Sequence, residues 1–84
     1  MANFIPKKLA VTSTEGTQLY GASYRQLHVK NEGATDCQID FDREVDANSY
    51  LLESGEAITI DEAVIRLHFK TASSTTTLYT LAIK

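Results

Sequence analysis

Apolar and polar residues alternate with a period of two over residues 36–42: Cys37, Ile39 and Phe41 take one phase, and Asp36, Gln38, Asp40 and Asp42 take the other. Successive side chains of an extended chain point to opposite faces, so this pattern requires a strand with one buried and one wet side. The rhythm returns at 63–70, where Ala63, Ile65, Leu67 and Phe69 oppose Val64, Arg66, His68 and Lys70. It returns again at 79–84, where Tyr79, Leu81 and Ile83 oppose Thr80, Ala82 and Lys84. Half-buried strands of this kind build antiparallel sheets that pack on a second sheet or roll into a small barrel. The chain is therefore predicted to be all-β: a small antiparallel β-sandwich or jelly-roll-like barrel of about seven short strands, with Phe41, Leu67, Phe69 and Leu81 in its core.

Turn-forming residues divide the chain at the matching intervals. A first strand is expected at 8–12, with Leu9 and Val11 in phase, followed by a Thr/Ser/Gly-rich loop over 13–21. A second is expected at 24–30, with Leu27 and Val29 in phase, ending in the turn Asn31-Glu32-Gly33. Residues 43–48 read as a polar crossing loop, 49–52 as a short apolar segment, and 57–60 as a strand with Ile58 and Ile60 inward. Pro6, the single proline, fixes an extended conformation ahead of the first strand. The reading is an N-terminal arm at 1–6 and one sandwich domain at 7–84.

With 84 residues, 43% of them hydrophobic, the chain has room for one core and an expected radius of gyration of roughly 12 Å. So small a domain buries a modest share of its surface, and small domains commonly add disulfides, metals or oligomerisation. One cysteine excludes an internal disulfide, which leaves a homo-oligomer such as a trimer, or docking on a larger body. Phe4, Ile5 and Pro6 are the candidate protein-interface residues, because an apolar arm adds burial at little length. The formal net charge of −3 argues against a nucleic-acid partner, and no segment has the apolar length of a signal peptide or a membrane span. Cys37 falls on the apolar phase of its strand and reads as a small core residue of a protein made in a reducing cytoplasm.

The candidate chemistry is sparse. Asp40, Asp42, Glu44 and Asp46 imitate the first ligands of a calcium loop, but Val45 and Leu51 stand where such a loop needs glycine and a bidentate glutamate. His28 and His68 fall on polar phases far apart in the chain, and one cysteine with two distant histidines is not a zinc set. No serine or cysteine is framed as a nucleophile. The expectation is a protein that is not an enzyme, with no catalytic residues, no metal and no cofactor.

The order Val29-Lys30-Asn31-Glu32-Gly33, the alternating strand to Asp42, Tyr50-Leu51-Leu52-Glu53-Ser54-Gly55-Glu56-Ala57-Ile58, then Ile65-Arg66-Leu67-His68-Phe69-Lys70 and a Ser/Thr-rich turn into the last strand, resembles the small β-sandwich virion structural proteins of tailed bacteriophages. The resemblance covers about residues 24–84 and implies a capsid decoration, cement or head-fibre-base protein. It implies a multiply copied part that binds the major capsid protein or another virion protein, assembled in the host cytoplasm and located in the virion. A tail, baseplate or head-tail adaptor subunit is the alternative, and a carbohydrate-binding β-sandwich is a further one. The resemblance carries over no site residues.

Overall fold

A computed structural model describes residues 4–21 and 24–84 of the chain. These contain eight strands: β1 (Phe4–Val11), β2 (Gly16–Leu19), β3 (Gln26–Asn31), β4 (Cys37–Phe41), β5 (Tyr50–Leu52), β6 (Ala57–Ile60), β7 (Arg66–Lys70) and β8 (Thr76–Ile83). Each strand of the first half pairs antiparallel with its mirror in the second half: β1 with β8, β2 with β7, β3 with β6 and β4 with β5. The chain is thus one long ribbon doubled back at the 42–49 loop. Two further pairings, β3 with β8 and β4 with β7, fold that ribbon into two four-stranded sheets ordered β1-β8-β3-β6 and β2-β7-β4-β5. Eight strands in two such sheets form a jelly roll, and the all-β antiparallel architecture read from the alternation is the observed one.

Leu9, Val11, Leu27, Val29 and Leu78 from the first sheet meet Cys37, Ile39, Leu52, Leu67 and Phe69 from the second, and all are buried. Gly16 lies opposite Phe69 in the β2–β7 ladder. A Cβ at Gly16 would stand 2.5 Å from Cε1 and 3.0 Å from Cζ of Phe69, so the bare backbone is what makes room for that ring.

Several boundaries and phases differ from the sequence reading. The first strand begins at Phe4, so Phe4, Ile5 and Pro6, expected in an arm, are the first residues of β1 and pair with Ile83, Ala82 and Leu81. β1 is an edge strand, the one kind of strand in which the missing N–H of a proline costs no ladder bond. Residues 1–3 of that arm lie outside the described residues. Gly16–Leu19, expected in a loop, is the short strand β2. The strand expected at 63–70 starts only at Arg66; Val64 is buried ahead of it, and Ile65 is 48% exposed. In β8 the phase is inverted: Leu78, Thr80 and Ala82 point inward, whereas Tyr79 is exposed and Leu81 and Ile83 are half-buried on the outside. Leu67 and Phe69 are core residues as expected; Phe41 packs against the core half-buried, and Leu81 does not belong to it.

Candidate functional site

Inside the jelly roll the polar groups are few and mutually bonded. Asn31, at the end of β3 and wholly buried, donates from Nδ2 to Thr35 O (2.8 Å) and Leu52 O (3.0 Å). Its Oδ1 accepts from Thr76 Oγ1 (2.6 Å) and from Gly33 N (3.1 Å). Tyr20, following β2, hydrogen-bonds through its hydroxyl to Thr80 of β8. Burial raises the Tyr20 hydroxyl above its ordinary pKa, with the Thr80 bond opposing. Burial likewise pushes the Cys37 thiol up to about 11, so it stays protonated and unreactive at neutral pH. These groups are satisfied structural bonds, and none is poised to exchange a proton near pH 7.

The outer face of the β2-β7-β4-β5 sheet carries the ionisable residues. His68 of β7 lies beside Thr17 and Asp40 in the ladders, and its Nδ1 is 3.0 Å from Glu15 Oε2. Glu15 Oε1 accepts from Val45 N at 3.2 Å, which ties the loop before β2 to the loop after β4. Asp40 bonds Arg43 Nε (3.1 Å) and accepts from Ser49 Oγ (2.9 Å). Asp46 accepts from Asn48 N (2.8 Å), a bond that holds its carboxyl below the usual carboxylate range with help from Arg43 at 2.5 Å. Asp42 stands at φ 60° and its Oδ1 accepts from Arg66 N at 2.6 Å. The acidic series Asp40, Asp42, Glu44 and Asp46 is thus dispersed: Asp40 and Asp46 fasten the 42–49 loop, and Asp42 ties it to β7. Among the described residues no three His, Cys, Asp or Glu side chains converge as a metal set.

The outer face of the β1-β8-β3-β6 sheet mixes an apolar group on β1 and β8 with polar and charged side chains on β3 and β6 and at its ends. Ladder partners share a face, so the registers give its rows: Phe4, Ile83 and Gln26; then Pro6, Leu81, His28 and Thr59; then Lys8, Tyr79, Lys30 and Ala57. His28 sits in the middle row, on an interior strand, with Nδ1 2.8 Å from Thr59 Oγ1 and Nε2 3.0 Å from Gln26 Oε1. Phe4 is 51% exposed and Tyr79 44% exposed. A shallow hollow lies at each end of this face, one of about 320 Å³ lined by Arg25, Gln26, Asp61, Ile83 and Lys84, the other of about 360 Å³ lined by Lys8, Glu32, Thr77 and Tyr79. The structure brings Phe4 and Pro6 of the expected interface set onto this face and turns Ile5 toward the core side. The sequence reading missed the contribution of β8. The signal was present, because residues 78–83 are apolar on both phases, the mark of a strand covered on both sides.

No protein-family model matches the chain, and no curated protein matches it. Solved structures do. The cupin_2 domain of an XRE family transcriptional regulator from Enterobacter cloacae is similar with a TM-score of 0.71 at 9% identity, over 98% of this chain and 82% of that one. An HTH_3 family transcriptional regulator from Vibrio cholerae gives 0.72 at 8% identity, over 99% of this chain and 44% of that one. Co(II) HppE in complex with substrate gives 0.69 at 14% identity, over 96% and 45%. The chain spans less than half the length of the last two proteins. At such identities the likeness establishes the fold alone: a jelly roll of the cupin type.

These neighbours correct the resemblance drawn from the sequence. They are cupin domains and regulators, not virion proteins, so the capsid decoration or cement function, the major capsid protein as partner and the virion location are set aside. The physical reason is that the turn-strand-turn spacing is a property of the jelly roll, a fold shared by capsid, lectin and cupin domains alike.

The metal carried by Co(II) HppE raises the question whether a metal fits here. The inward positions of β3, β4, β7 and β8 hold Leu27, Val29, Ile39, Leu67 and Leu78, while His28 and His68 stand on opposite outer faces. That donor set does not fit a metal within the barrel.

Proposed function

We propose that this chain is a non-catalytic jelly-roll module that works by protein contact through the outer face of the β1-β8-β3-β6 sheet. The observation that supports this reading most is the division of labour between surfaces: the barrel interior is occupied by the chain's own apolar side chains, and Phe4, Pro6, Tyr79, Leu81 and Ile83 adjoin one another on this outer face, whereas the exposed Leu19, Tyr50, Leu51 and Ile65 belong to the other sheet and its flanks. Contiguous apolar surface on a small domain marks an interaction site. A ligand that binds the folded state alone raises its stability, so metal titration tests the reading. Fe(II), Co(II), Ni(II) and Zn(II) are expected to leave the thermal unfolding midpoint unchanged. A saturable stabilisation by one of them, lost in His68→Gln or His28→Gln, would overturn it.

A further inference from the structure

Resting on that reading of the sheet face, we propose that its occupant is a second copy of this chain, packed face to face about a two-fold axis that runs along the row Pro6, Leu81, His28. An axis in the plane of a sheet face exchanges the two ends of every strand and keeps each strand opposite its own counterpart. Leu81 of one copy then meets Leu81 of the other, and Ile83 meets Tyr79. The two end hollows exchange places under the same rotation, so that Tyr79, which lines one, faces Ile83 in the lining of the other.

The charges at the ends of the face match under this operation. Lys30 lies two residues below the axis on β3; Asp61, which accepts a hydrogen bond from Gln26, lies the same distance above it at the β6 column. The rotation sets Lys30 of each copy beside Asp61 of the other. Glu32, further down β3, comes opposite the end that carries Arg25 and Lys84. Lys8 faces Phe4, over whose ring its aliphatic stem can lie.

With eight residues in β1 and β8, six in β3 and four in β6, at ~3.4 Å per residue and ~4.8 Å between strands, the face covers roughly 420 Å² per copy, about 850 Å² in total, the size of a weak and reversible contact. Leu81 lies next to His28 at its middle, Phe4, Ile83 and Tyr79 flank them, and Lys8, Lys30 and Asp61 stand toward the ends as a charged rim.

Sedimentation equilibrium of the purified chain across a wide concentration range tests the proposal. The expected result is reversible association to the mass of two chains. Leu81→Lys is expected to weaken it by roughly thirtyfold or more, as for a central interface residue. Tyr79→Glu, at an exposed site, serves as the second variant should Leu81→Lys unfold. Lys30→Asp is expected to weaken association, and adding Asp61→Lys to it to restore association. A wild-type chain that stays monomeric throughout overturns the proposal, as does a dimer indifferent to both apolar-face variants; failure of the charge reversal to restore binding overturns the two-fold arrangement. The metal titration bears on the functional reading alone: a monomer indifferent to metals removes the dimer and leaves that reading standing, whereas a metal-binding barrel removes the reading whatever the mass.

Discussion

Thr76 Oγ1 donates to Asn31 Oδ1 over 2.6 Å inside the jelly roll, joining the start of β8 to the end of β3 where neither side chain reaches water. The same Asn31 holds the β5 carbonyl of Leu52 and the loop carbonyl of Thr35, and its backbone bonds Glu56 O through N and receives Gly55 N at O. One amide therefore fastens one end of the barrel across both sheets.

Removing that amide leaves its partners buried and unpaired. Asn31→Leu is expected to lower unfolding free energy by about 3–5 kcal/mol, since each buried group left unsatisfied costs about 1–3 kcal/mol. Thr76→Val, which leaves the two carbonyl bonds of Asn31 in place, is expected to cost about 1–2 kcal/mol. Urea denaturation of both variants checks the order of the two effects. Equal, near-zero losses would mean the network contributes nothing.

Gly33 closes the same corner. A Cβ there would lie 2.9 Å from Thr76 Cα, a contact with backbone that no side-chain rotation relieves. Gly33→Ala is expected to destabilise by about 1–3 kcal/mol, as overpacking does, while Gly55→Asn, in open space at φ 81°, is expected to fall within ~1 kcal/mol of the native chain. The same denaturation measurement distinguishes them.

Alkaline pH should loosen the core through Cys37. Its thiol, ordinarily ionising at 9.0, does so in the folded chain only at about 11 because it is buried. Between these values the unfolded chain has released the proton and the folded chain has kept it, so stability is complete below pH 9 and falls as pH rises toward 11, by at most roughly 1.4 kcal/mol per pH unit. Tyr20, also raised by burial, acts in the same direction. Cys37→Val is expected to flatten the decline without abolishing it. Unfolding curves of both chains at successive pH values give the slopes, and identical slopes would show that the thiol plays no part.

Asp42 and Arg66 form a backbone clamp, with Asp42 N donating to Arg66 O at 2.9 Å and Asp42 Oδ1 accepting from Arg66 N at 2.6 Å. Asp42 does this at φ 60°, a conformation that aspartate and asparagine tolerate and β-branched residues do not. Asp42→Asn is expected to fall within ~1 kcal/mol of the native chain, and Asp42→Val to cost about 2–4 kcal/mol from strain together with the lost bond. Thermal unfolding midpoints check the ranking.

Residues 36–42 were legible from sequence because only one of their phases is apolar; Cys37 and Ile39 had no other face on which to be buried. The same local rule placed Leu27, Val29, Leu67 and Phe69 in the core and fixed the all-β class. It could not orient β8, where Leu78, Thr80 and Ala82 compete with Tyr79, Leu81 and Ile83 on nearly equal terms. Thr80 is inside because Tyr20, sixty residues away, meets it with a hydroxyl. Nor did it find Gly16–Leu19, which follows a Thr/Ser-rich run, opens on a glycine disfavoured in strands, and becomes a strand by lying along β7. Alternation is a property of neighbours in the chain, and it determined which segments are strands and, for most, which side is apolar. Strand order, the outward turn of Tyr79, Leu81 and Ile83, and the separation of His28 from His68 depend on pairings between distant residues, which only the folded chain brings together.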